Sequence, residues 1–245
     1  MKINSLSLIV FGLIIALGAT AAEAQSIEIS LGDEAELSTR TFQLILLITV
    51  LSLAPGLAIM ITCFPFIVTV LSILRQGIGL QQSPPNMLIV SLALFLTYFV
   101  MEPVFTAAWL DGISPLIANE LPMEEAIPRT LDPFRAFMAG RMDNETFVSM
   151  AALRPDAAGI SAGPDAPLSV LIPSFLLSEI SRAFQVGFLI FLPFLVIDLV
   201  VAAILMSMGM MMVPPVIVSL PFKLAFFVIA DGWRLIADSL VRGYF

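Results

Sequence analysis

The stretch LVVAAILMSMGMMMVPPVIVSLPFK, Leu199 to Lys223, decides how this chain folds. It is apolar up to a cluster in which five of the thirteen methionines lie between Met206 and Met212. It breaks at Pro214-Pro215 and then turns apolar again. Glycine readily adopts the left-handed conformation that ends a helix, and proline is tolerated at the first helical position. The reading is two apolar helices joined by a Met-rich turn, with Gly209, Pro214 and Pro215 as the turn residues.

The rest of the composition agrees. Of 245 residues, 59% are hydrophobic and 12% charged, and mean hydropathy is +1.03. A soluble domain is roughly 45–50% apolar and about 25% charged, so the chain reads as an integral membrane protein or something that behaves like one, and its long apolar runs make all-α the expected class. The net charge of −8 gives no basic surface for nucleic acid, and no nucleic-acid partner is expected. There is no histidine and one cysteine, Cys63. This excludes an intramolecular disulfide, a His- or Cys-based metal cluster and a His-dependent nucleophilic centre. No phosphate-binding Gly-Lys loop is found. No cofactor, metal or enzymatic activity is expected.

Residues 1–24 read as a signal peptide. Lys2 precedes an apolar run from Leu6 to Ala19, and Ala22-Glu23-Ala24 offers a cleavage site between Ala24 and Gln25. The alternative is an uncleaved first transmembrane helix. An acidic segment, 25–40, follows. Between Arg40 and Arg75 there is no charge, a run longer than the ~20 residues of one span, interrupted by Pro55-Gly56 and Pro65. With the polar turn QGIGLQQSPPN and the run MLIVSLALFLTYFVM, residues 41–110 read as a first kinked hairpin. Gly79 precedes Pro84-Pro85 by the interval that separates Gly209 from Pro214-Pro215. This is either a remnant of duplication or two turns solving one problem. Residues 111–167 hold nine acidic and four basic residues and read as a water-exposed insert with short helices, whose arrangement the pattern does not give. Residues 168–245 read as an amphipathic lead-in helix and the second hairpin. An exported N-terminus makes the Arg75 turn cytoplasmic and the insert periplasmic.

Charges in the second hairpin are few. Asp198 follows fifteen uncharged residues and precedes twenty-four, up to Lys223. Each would cost about 2.5–3.5 kcal/mol facing lipid at mid-helix, so both should face protein or water. Lying at similar distances from the turn, they read as a structural ion pair, within or between chains, or as residues lining a conduit. Glu179/Arg182 and Asp231/Arg234 are spaced as ordinary i,i+3 helix-end pairs. So short a chain, with polar residues needing protein neighbours, reads as one subunit of an oligomer.

The runs PPNMLIVSLALFLTYFVMEPV, LIPSFLLSEISRAFQVGFLIFLPFLVIDLV and SMGMMMVPPVIVSLPFKLAFFVIADGW closely resemble the P-subunit family of the flagellar type III export apparatus, which includes the equivalent subunit of virulence injectisomes. The resemblance implies an oligomeric helical export gate at the inner membrane. It would be built from further copies of this chain with Q-type and R-type subunits, beside the B and A export components. Unfolded flagellar proteins would be its cargo. It also implies that Met210, Met211 and Met212, flanked by Met208, form a gasket that seals the closed pore. Methionine suits this because it is unbranched and repacks easily, and apolar constrictions exclude water and ions. The chain departs from the family pattern at Pro65-Phe66, Glu102 and Ser174. Two alternatives are an injectisome subunit and, more remotely, an intramembrane enzyme using Asp198 or Glu102.

Overall fold

The protein is described by a computed structural model for residues 34–80, 83–155, 157, 159–210 and 212–244, with side chains from Arg40 onward. The signal peptide, the Ala24/Gln25 cleavage site, most of the acidic segment and Met211 lie outside the described residues.

The chain divides into two units, Met1–Leu51 and Ser52–Phe245. In the first, the described part belongs to helix α1 (Glu34–Met60). Phe42, Leu46 and Ile48 are more than half exposed there, and no charged residue follows Arg40 in the helix. A helix apolar on all sides is stable only inside a larger body or a membrane.

In the second unit the backbone breaks at Ile61–Cys63 and restarts as α2 (Phe64–Ile78), with Pro65 in its first turn. The Thr62 hydroxyl accepts from the Phe64 amide at 3.4 Å. Proline has no N–H to leave unpaired there, so the restart is cheap at this position. Then follow α3 (Asn86–Ala108), a π-helical turn (Trp109–Ile113) and α4 (Ser114–Ile117). Next are α5 (Met123–Arg141), α6 (Asn144–Ala152), α7 (Leu168–Ser207), α8 (Pro215–Ile229) and α9 (Gly232–Arg242). Among the described residues there is no strand. The described part of 111–167 is mainly helical, as expected, though α5 at 19 residues is longer than the short helices the sequence suggests. There Asp143 caps α6 by accepting from the Thr146 amide at 2.9 Å, and that bond holds its carboxyl below the usual range. The expected lead-in helix is not a separate element. It is the first part of α7, which runs unbroken through Pro173 and Pro193 for 40 residues.

The core of this unit is α2 against α7. Phe66, Ile67, Val70, Leu71, Leu74 and Ile78 form one buried stripe at helical spacing. The two helices approach closely where glycine leaves room. A Cβ on Gly187 would lie 2.4 Å from Ile73 Cδ1, and one on Gly77 would lie 3.0 Å from the Phe194 ring. A second cluster, around Met138, Phe147, Leu171 and Phe175, packs α5 and α6 onto the start of α7.

Among the described residues three helices are long and apolar enough to cross a membrane: Arg40–Met60, Asn86–Ile117 and Leu168–Ser207. A fourth is possible if α8 and α9, bent by 61° at Ala230–Asp231, count as one span. This is the helix set of a multi-pass membrane protein.

Candidate functional site: the methionine turn and the buried charges beneath it

Helix α7 ends in the way its residues dictate. Gly209 takes φ +73°, a conformation that costs a residue without Cβ little. Its amide donates to the Met206 carbonyl at 3.0 Å, and the Met210 amide reaches back to Leu205 at 2.9 Å. These two bonds satisfy carbonyls that the helix end would leave open. Pro214 then caps α8, and Pro215 occupies its first turn. The Gly79 turn uses the same chemistry, with φ +88° at glycine and Pro85 capping α3. Both turns end one helix with a left-handed glycine and open the next with proline.

The methionines are left uncovered. Met208 is 67% exposed, Met210 42% and Met212 98%. Beside them lies a groove of about 540 Å³, lined entirely by apolar side chains. Val200 and Ile204 line it from α7, Met208 and Met210 from the turn and Phe222 from α8. Flexible thioethers at the mouth of a dry groove can close on one another or repack around a variable segment.

Beneath the turn the structure brings Asp198 and Lys223 together. Lys223 Nζ lies 2.6 Å from Asp198 Oδ2 and donates to the Gly77 carbonyl at 3.1 Å. The Ser219 hydroxyl donates to Asp198 Oδ1 at 2.5 Å. Lys223 is 3% exposed and the Asp198 side chain 25%. The pair thus ties α7 and α8 to the C-terminal end of α2, where open carbonyls favour a cation. Neither Ser219 nor the Gly77 carbonyl stands out in the sequence. Asp198, weighed above as an acid or base, is committed to this contact.

Glu179 and Arg182 do meet, at 3.5 Å, but not as a helix-end pair. Glu179 lies inside α7 and is fully buried. Arg141 approaches its Oε1 at 3.3 Å, and the Tyr244 hydroxyl donates to its Oε2 at 2.5 Å. The Arg141 guanidinium also stacks 4.0 Å over the Tyr244 ring and donates to the Gly243 carbonyl at 2.7 Å. Burial, and then the Glu179 carboxylate, push the Tyr244 phenol well above its ordinary pKa, so it stays a donor. Sequence reasoning missed Arg141 and Tyr244. The available signal was that a carboxylate inside an apolar helix needs more than one i+3 partner. Asp231 and Arg234, by contrast, form an exposed pair at 2.7 Å on the surface of α9. Ser174, one of the expected departures from the family pattern, has a buried hydroxyl with no partner among the described residues. Nothing in the structure explains it.

Among the described residues no group of His, Cys, Asp and Glu is set to hold a metal ion. The arrangement offers a soft apolar turn over a fixed ionic anchor.

Comparison with known proteins bears on what this turn belongs to. The FliP family model matches residues 47–240. The flagellar biosynthetic protein FliP of Caulobacter vibrioides is 51% identical over 225 residues, 91% of this chain and 84% of that protein. The Rhizobium meliloti protein of the same name is 49% identical over 87% of this chain and 86% of its own length. The one from Bacillus subtilis is 43% identical over 89% of this chain and 98% of its own. The family match contains the methionine turn, the charged side chains of both clusters and most of the candidate spans: this chain belongs to the FliP family.

Proposed function

We propose that this protein is a core subunit of the flagellar type III protein export gate, and that the turn from Met208 to Met212 is the pore's gasket. The observation that carries the reading is the exposure of Met208, Met210 and Met212 beside an apolar groove in a single chain. Such a surface needs cover from lipid or from neighbouring subunits, and soft methionines at a turn, past the end of the apolar helix, suit a contact between subunits. Copies of this chain arranged in a ring, with Q-type and R-type subunits, would bring their methionine turns together on the axis. Met211 joins the gasket by sequence. The gate would sit in the bacterial inner membrane at the flagellar basal body, near the A and B export components. Its two kinked hairpins would pack within the assembly, with residues 111–167 on the periplasmic side and a leader removed at Ala24. Unfolded flagellar proteins are the cargo, and no catalysis is required of the chain. The relatives' shared name, flagellar biosynthetic protein, favours this role over the injectisome one.

The gasket reading is tested by replacing Met210, Met211 and Met212 with glycine in an otherwise intact gate. Leakage of small ions across the membrane of cells carrying the assembled variant is expected. Unchanged permeability with full assembly would refute the gasket.

A further inference from the structure

Helix α3 leaves one long face uncovered. Phe95, Phe99, Glu102 and Thr106 recur at i, i+4, i+7 and i+11, and Trp109 follows at i+14 in the π-helical turn, so they line one side over ~21 Å. All five are exposed, Phe95 to 66%, Phe99 to 56% and Trp109 to 51%. Glu102 is the first charge after Arg75 and stands at the middle of the candidate span Asn86–Ile117.

The surroundings of this carboxylate are specific. Its neighbours on the helix surface, three and four positions away, are Tyr98, Phe99, Phe105 and Thr106. Three of the four are aromatic. The Tyr98 and Phe105 rings stack at 6.3 Å, and Phe134 of α5 extends the row at 5.9 Å from Phe105. Among the described residues the one polar contact of Glu102 is the Thr106 hydroxyl, which donates to Oε1 at 3.5 Å. That bond is long, and an ionised carboxyl has about four lone-pair sites to fill.

Neither lipid nor water suits such a face. Lipid leaves the carboxylate without a partner at mid-helix, and water leaves a row of large rings uncovered. A protein helix with one cation suits both, since the cation pairs with the carboxylate and lies against the ring faces. A second copy of this chain does not supply it. Arg182 and Lys223, the cations inside apolar helices, are engaged by Glu179 and Asp198. Arg75, in the last turn of α2, donates to the Asn86 side chain. Arg40 opens the apolar run of α1 rather than interrupting it, with Glu36 one turn before it. Arg129, Arg234 and Arg242 each hold an acid beside them, which would set carboxylate against carboxylate.

We infer that the outer face of α3 docks a helix of a different protein chain, an apolar helix interrupted near its middle by a single lysine or arginine. That cation sits on Glu102 between Tyr98, Phe99 and Phe105, and the apolar residues on either side of it cover Phe95 and Trp109. The rings provide contact area, as aromatic side chains do at the centre of interfaces. The charge fixes register and partner, because an apolar helix without a cation leaves Glu102 buried and unpaired. This surface is independent of the methionine turn, and its partner holds whether or not that turn is a gasket.

The test uses the full-length protein in its own membrane, with a benzophenone-bearing phenylalanine analogue in place of Phe99. After irradiation the cross-linked peptides are sequenced by mass spectrometry. The expected adduct is to another membrane protein, on a peptide with one lysine or arginine inside an apolar run. Glu102→Lys should then lower co-purification of that protein at least ~tenfold, the scale of one lost charge contact, and replacing the identified cation by glutamate should restore it. Glu125→Gln, on the exposed α5 pair, should leave it unchanged. Glu102→Gln keeps the size of an exposed side chain and should weaken co-purification too, so the test stays decisive should Glu102→Lys fail to assemble. An adduct only to a second copy or only to lipid overturns the inference. So does a cross-linked peptide without a cation, co-purification unaffected by Glu102→Gln, or a charge swap that restores nothing.

Discussion

Removing one member of the Asp198–Lys223 pair should be far worse than removing both. Lys223 is 3% exposed, and its ammonium has two acceptors, the Asp198 carboxylate at 2.6 Å and the Gly77 carbonyl at 3.1 Å. Asp198→Ala leaves that cation with a single neutral acceptor. Breaking a buried pair from one side costs about 3–5 kcal/mol. The Ser219 hydroxyl adds little to this loss, because its one proton can turn wholly to the Val216 carbonyl, 3.1 Å away. A whole domain is stable by only about 5–15 kcal/mol, so the single variant should assemble poorly. Asp198→Leu with Lys223→Met removes both charges and keeps the volume, a change that is often neutral. The assay is a double-mutant cycle on denaturant unfolding of the purified protein, with swimming in soft agar as the functional readout. A coupling of at least ~2 kcal/mol is expected, since contacting residues are non-additive. Singles whose costs simply add would refute the anchor. The functional arm separates the two roles the sequence leaves open: a structural anchor predicts that the double variant swims, and a conduit lining predicts that it assembles but does not export.

Gly187→Ala places a methyl 2.4 Å from Ile73 Cδ1 and 3.2 Å from Ile73 Cβ, so about 1–3 kcal/mol of overpacking is expected. Adding Ile73→Ala should recover part of it in thermal unfolding, and no recovery would exclude the α2–α7 crossing as the cause. Tyr244→Phe removes the donor to Glu179 Oε2 while keeping the ring under Arg141, and should cost about 1.5–3 kcal/mol, the scale of a hydrogen bond to a charged group. Tyr244→Ala also forfeits the cation–π contact and the ring packing against Phe66 and Phe137. It should therefore release α9 to limited proteolysis, where Tyr244→Phe does not.

What could be read from residue order is what a few neighbouring residues decide together. The methionine turn is legible because helix termination by Gly209 and restart at Pro214-Pro215 need only local chemistry. The apolar runs are legible because burial against anything but water follows from their side chains alone. Lys223 and Asp198 are legible as needing partners, since an isolated charge in an apolar helix is costly wherever that helix lies. The partners themselves are another matter. Arg141 reaches Glu179 across 38 positions, Tyr244 reaches it across 65, and Lys223 finds the Gly77 carbonyl across 146. No local pattern records those distances. Glu179 thus looks like half of a routine i,i+3 pair until α5 and the segment after α9 are folded against α7. Gly187 looks like any helix glycine until Ile73 arrives beside it. Nor does the unbroken length of α7 follow from its sequence, because Pro173 and Pro193 each permit a break. Secondary structure and cost of burial are properties of short segments, whereas which group satisfies a buried charge depends on chain closure over long separations, and only the packed structure decides it.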